Sequence, residues 1–168
     1  MSLKIGSITI PDEAAFDLRQ TLDPIDAKTL LRTKNGSGIL QSRYQKLQSS
    51  ISGSGWLPDG LDGLDLTAAL AVSCIEALSI TGATTSISIP RAFRTDTDFA
   101  PQGLAIVNGD VIATALSLAG SVATLTAVAG ASAYQVLYFP VITGFITVSR
   151  QFDKAAQTWS FTLDLQEQ

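Results

Sequence analysis

Asp59, Asp62 and Asp65 recur every three residues in the segment SGSGWLPDGLDGLD. Clustered carboxylates are the ligands a hard cation such as calcium takes. An EF-hand loop closes on a glutamate, however, and none stands at that distance. Turn and cap roles are therefore the expectation for these aspartates. A second grouping, RAFRTDTDF, brings Arg91, Arg94, Asp96 and Asp98 together. A glycosidase needs two carboxyls facing each other across a substrate. Neighbouring acids on one loop rarely meet that geometry, so the expectation is a salt-bridged loop, worth little where exposed. Four aromatic residues, Trp56, Phe93, Phe99 and Tyr138, are the candidate platforms of a carbohydrate-binding module. They do not cluster in one loop, and Trp56 reads first as a lid over the core.

The chain contains no histidine. That removes the commonest general base, the usual metal ligand and any Ser-His-Asp or Cys-His arrangement. The single Cys74 offers neither an internal disulfide nor a thiolate metal site, and it reads as a small buried apolar residue. Neither G-x-G-x-x-G nor a P-loop is present. The residues thus predict no enzyme, with no catalytic group, cofactor or metal.

Apolar residues make up 46% of the 168-residue chain and charged residues only 15%, where roughly 25% is typical. So thin an ionic coat predicts a surface covered by other subunits. The net charge is −4 without any basic run, which argues against a nucleic-acid binder. The N-terminus lacks a signal-peptide core. The apolar run Val111–Val128 is interrupted by hydroxyls and glycine, so it reads as strands around Ala119-Gly120-Ser121 rather than a membrane span.

The elements that must carry these residues read as strands. In the closing one, Trp159, Phe161, Leu163 and Leu165 alternate with Ser160, Thr162 and Asp164, the period of a half-buried strand. Trp56, Trp159, Phe161 and Leu163 are the expected core anchors. A partner strand is predicted at Phe145–Ser149, with a polar loop over Gln151–Gln157. Leu3–Ile10 predicts one opening strand. A second runs from Phe16 to Leu22 and stops at Asp23-Pro24, with a short helix over Asp12–Arg19 as the rival. Asn35-Gly36 signals a hairpin between Thr29–Thr33 and Ile39–Tyr44, with the extended path resuming at Leu47–Ile51. Its arms are polar on both faces, so it either projects into solvent or meets a partner chain. Leu66–Ile80 satisfies both strand and helix periods, and strand is preferred for its β-like flanks. Further strands are expected at Ser86–Pro90, Gly103–Val107 and Val111–Leu118, the last two joined through Asn108-Gly109. Short strands at such spacing predict a mostly β fold, an antiparallel β-sandwich or small barrel with a projecting polar hairpin.

The order of LLRTKNGSGILQSRYQKL, SGSGWLPDGLDGLD, LAVSC, YQVLYFPVITGF and WSFTLDLQE resembles tail proteins of long-tailed (siphovirus-type) bacteriophages. The likeness is to the distal tail and tail-tube group at the baseplate and covers about Thr29 to Glu167. It implies a virion protein, made in the host cytoplasm, that forms a ring, typically of six copies, and connects the tail tube to the tail tip. It also implies other tail and baseplate proteins as neighbours. The polar hairpin, with Arg32, Lys34, Asn35, Gly36, Gln41 and Arg43, would then serve inter-subunit contact or the channel wall. DNA would pass through without specific binding: six copies at −4 each bring about −24, which repels phosphate. A local likeness of VATLTAVAGASAYQVLY to a fibronectin type III-like sandwich implies an inserted segment at about 84–140, within a single domain over 1–168. The competing functional expectations are the carbohydrate-binding module and, last, an enzyme.

Overall fold

A computed structural model describes residues 2–168. The alternating pattern becomes strand throughout. Of the described residues 60% are strand and 4% helical, in antiparallel sheets with no closed barrel. The first seven strands are β1 (Lys4–Ile5), β2 (Ile8–Thr9), β3 (Arg19–Arg32), β4 (Gly38–Gly55), β5 (Leu70–Ser73), β6 (Leu78–Gly82) and β7 (Ser86–Ser88). There follow β8 (Gln102–Val107), β9 (Asp110–Thr114), β10 (Leu116–Ala119), β11 (Val122–Leu125), β12 (Ala131–Tyr138), β13 (Val141–Asp153) and β14 (Thr158–Glu167). Among the described residues no helix is long and apolar enough to cross a membrane.

The chain divides into two compact units, Met1–Thr9 with Ala71–Ile142, and Ile10–Leu70 with Thr143–Gln168. The segment expected as an insertion at about 84–140 lies within the first of these.

In the first unit, β10-β11-β7 and β6-β12-β8-β9 form two antiparallel sheets. Ile87, Ala123 and Leu125 from one sheet share a buried cluster with Ala105, Tyr134, Val136 and Tyr138 from the other. This is the two-layer packing of a sandwich. Asn108 and Gly109 both take positive φ (52° and 92°) between the paired Val107 and Asp110, as a two-residue type I′ turn requires. The expected strand Val111–Leu118 is divided at Ala115. Its first half, β9, pairs with β8 and its second half, β10, with β11, so the chain changes sheets there. Gly103 permits the crossing, since a Cβ on it would lie 2.9 Å from the Thr114 carbonyl and 3.0 Å from Leu125. The expected opening strand Leu3–Ile10 is folded back on itself as β1 and β2 about Gly6 at φ 58°. Leu66–Ile80 yields β5 and the start of β6, with Cys74 fully buried between them.

In the second unit, β13, β14, β4 and β3 lie side by side in that order. Phe161, Leu163 and Leu165 are buried along one face of β14, opposite Gly53, Ile51 and Ser49 of β4. Gly53 is bare because a Cβ there would meet the Phe161 ring at 2.9 Å. β3 does not stop at Asp23-Pro24 but runs through it. It is the edge strand, the one place where a proline without an N–H costs the ladder little. The rival helix is a single 3-10 turn at Asp12–Ala14. The loop expected over Gln151–Gln157 is shorter, because β13 and β14 remain paired to Asp153 and Thr158. Asp153 Oδ1 accepts the amides of Ala155 and Ala156 and closes that turn.

Candidate functional site

β3 and β4 are the longest strands of the chain, and β4 pairs with β14 only from Gln48 to Gly55. Beyond that point the two strands continue as a ribbon that pairs only with itself, out to Arg32 and Gly38. Thr33 to Gly36 form the turn. The Gly36 amide donates to the Thr33 carbonyl (2.9 Å), the Thr33 amide donates to Ser37 (2.9 Å), and Gly36 sits at φ 81°. With only the glycine left-handed, this is a type I turn carrying a glycine bulge, not the two-residue form seen at Asn108-Gly109. Arg32 Nη1 donates to the Gly36 carbonyl at 3.2 Å and braces the tip.

The register places Leu30 opposite Leu40 and Leu31 opposite Ile39. Directly opposed residues share a face and neighbours alternate, so each face of the ribbon tip carries one apolar pair. All four side chains are between 45% and 61% exposed. Gln41 and Arg43 stand lower, where they line a concavity with Asp26, Lys28 and Thr29. The expected polar hairpin is therefore a polar ribbon with a greasy tip. It also concentrates charge. The ribbon, residues 24–47, holds five of the eleven basic residues and one acidic residue, Asp26, or +4, which leaves six basic and fourteen acidic residues, or −8, on the rest of the chain. The sequence shows no basic run because these cations are spread along two arms that only pairing brings together.

The aspartates of the glycine-rich segment hold turns. Asp59 Oδ1 accepts the Leu61 amide at 3.1 Å and Asp65 Oδ1 accepts the Thr67 amide at 3.0 Å. Thr67 holds the Asp65 carboxyl below its ordinary pKa. Asp59, which is buried, and Asp62 also converge on Arg150, at 2.6 Å and 2.8 Å. These contacts, the Asp59 hydrogen bond above all, raise the Arg150 pKa. Arg150 was missed as a partner although a signal existed. It stands on the apolar side of its strand with Ile146 and Val148, a place for a cation only if an acid meets it there.

The loop expected to be an exposed ion pair is built around a buried arginine. Arg94 is 4% exposed. Its Nε donates to Asp96 at 2.9 Å, and its Nη1 donates to the carbonyls of Ser2, Ser73 and Cys74. The guanidinium stacks 3.4 Å from the Phe99 centroid. Hydrogen bonding to Arg94 lowers the Asp96 pKa. Nε, Nη1 and Nη2 all bond to scaffold groups, so the cluster clamps three chain segments.

The aromatic residues sort differently from expectation. Trp56 is 57% exposed and not a core lid. The backbone of Gly55 is pressed so closely on Glu13 that a Cβ would lie 2.1 Å from its carbonyl, and the Trp56 amide donates to that same carbonyl. Trp159 keeps the core-facing side of β14 but lies at its open end, 36% exposed, where it stacks on Phe152 at 4.7 Å. Phe161 and Leu163 are buried as expected. Of the proposed sugar platforms, Phe99 and Tyr138 are buried and Phe93 is half-buried.

No protein-family model, curated protein or solved structure matches the chain. Among the described residues no group of three or more histidine, cysteine, aspartate or glutamate side chains is placed to hold a metal ion.

Proposed function

We propose that this chain is a structural building block that assembles with copies of itself into a ring, as the tail-tube and distal tail proteins of long-tailed bacteriophages do. The observation that carries the reading is the ribbon of β3 and β4. Four large apolar side chains at its tip are exposed on both faces, and a lone two-stranded ribbon is marginal in water. Burying a leucine or isoleucine side chain is favourable by roughly 1.5–3 kcal/mol, so the tip has much to gain from a partner surface. The charge supports the neighbour's being another copy, since a ribbon of +4 meets a body of −8. The thin ionic coat of the chain fits permanent burial. The role is mechanical. On this reading the tail position is between tube and tip, and the neighbours include other tail proteins.

The test is the mass of the purified protein by light scattering at low and high salt, with negative-stain microscopy. Closed rings that loosen with salt, and a Leu30→Ser/Leu40→Ser double variant that is folded but monomeric, are the expected results. A wild-type chain that stays monomeric at about 100 μM and low salt defeats the reading.

A further inference from the structure

The side of the β13-β14-β4-β3 sheet opposite the Phe161 and Leu163 side carries a second, unassigned feature. Register builds it. Asp23 pairs with Gln48, Gln48 with Gln166 and Gln166 with Phe145. One row across four strands is thus carboxylate, amide, amide and aromatic ring. The next row along is Thr21, Ser50, Asp164 and Thr147. Strands lie about 4.8 Å apart, so the first row spans about 14 Å. On the other side of it, Ile25 pairs with Lys46, and Tyr44 follows at the point where the register shifts, lining the same hollow.

These rows are concave. Asp23, Gln48, Ser50, Asp164 and Gln166 line a hollow of about 290 Å³. Ile25, Tyr44, Lys46, Gln166 and Glu167 line a second of about 250 Å³. Gln166 lines both, so the two hollows adjoin along the groove face. Two exposed aromatic side chains flank its amide row, Tyr44 at 47% and Phe145 at 51%.

We propose that this groove binds a neutral oligosaccharide. Carboxylates and primary amides satisfy neighbouring hydroxyl groups, the carboxylate as acceptor and the amide as both donor and acceptor. An exposed aromatic ring is a large rigid surface, suited to the C–H face of a pyranose. A cleft with a few convergent polar groups beside aromatic surface is the usual form of a small-molecule site. The charges choose the ligand class. Asp23 and Asp164 outweigh the single Lys46, which disfavours phosphate, sulfate and nucleic acid. A span of about 14 Å admits more than one sugar ring. The groove lies outside the hairpin tip, so this site does not depend on ring formation.

The test screens the full-length protein on an array of neutral and amino-sugar glycans, followed by calorimetric titration with the tetrasaccharide of the best responder. Saturable binding is expected. Phe145→Ala and Asp164→Asn should each weaken it about tenfold or more, the loss of one stacked ring or one charge-assisted hydrogen bond. Phe152→Ala, an equally exposed ring on the opposite side of β13, should leave it unchanged, as should Leu30→Ser/Leu40→Ser. Asp164→Asn is isosteric and keeps the test valid if Phe145→Ala fails to fold. The proposal is overturned if no glycan binds, if binding ignores both groove variants, or if Phe152→Ala weakens it equally. It is also overturned if Phe145→Ala dissolves the assembly while no glycan binds.

Discussion

Arg94 ties three segments of the first unit together. Its guanidinium faces three backbone carbonyls, one carboxylate and a phenyl ring, and is almost fully buried. Truncation removes these charge-assisted hydrogen bonds, each worth about 1.5–3 kcal/mol. Arg94→Ala should therefore lower stability by about 3 kcal/mol or more, read from urea denaturation, and Arg94→Lys should recover only part of that because an ammonium lacks the planar fork. A loss below about 1 kcal/mol would show that water replaces the side chain. Backbone proximity gives a second residue-scale prediction. A Cβ on Gly144 would lie 2.0 Å from the Gln166 carbonyl, so Gly144→Ala must push β13 off β14. A loss of about 2–3 kcal/mol is expected, as for other overpacked sites, whereas Gly63→Ala, with open space around it, should change little. Neither role was legible beforehand. Arg94 read as one of four loop charges, and the carbonyls it serves come from Ser2, Ser73 and Cys74, far away in the chain.

The hairpin is the element whose place the sequence announced best. Asn35-Gly36 and the polar arms marked it, and the structure extends it in both directions. The missed part was Asp23-Pro24, read as a stop although an edge strand can pass through it. Only the sheet order shows that β3 is an edge. The ribbon beyond the sheet makes few contacts that the rest of the fold needs. Excising residues 27–44 and joining Asp26 to Gln45, which are already paired, through Asn-Gly should leave the circular-dichroism spectrum β-rich and the melting temperature within a few degrees. The same variant should lose self-association. If it unfolds instead, the ribbon is a stability element and not an assembly arm.

For the whole molecule, pH dependence follows from a few groups. Ser54 holds Asp17 below its ordinary pKa through its hydroxyl and amide, Thr67 does the same for Asp65, and Arg94 for Asp96. A carboxyl with a lowered native pKa contributes stability that is complete above the unfolded value near 4 and is lost as pH falls through the native one. Burial pushes the Tyr138 hydroxyl up. Its contribution is complete below about pH 10 and is lost as pH rises further. Denaturation measured across pH should show a plateau between about pH 5 and 9, a shallow acid decline because those carboxylates are solvent-exposed, and a separate alkaline fall. An acid loss already under way at pH 6 would contradict this.

What the amino-acid order determined by itself is whatever depends on near neighbours. Period-two alternation made β14 and its burial readable, and Gly120 and Asn108-Gly109 announced their turns. Tertiary structure alone decided what depends on register between distant strands. Asp23, Gln48, Gln166 and Phe145 become one row only when β3, β4, β14 and β13 pair. Arg150 finds Asp59 across the chain, and Trp56 stands exposed beside the Gly55 backbone packed on Glu13. The reason is physical: backbone preference acts over a few residues, whereas a binding surface is made of side chains that only sheet hydrogen bonding brings within a few ångströms.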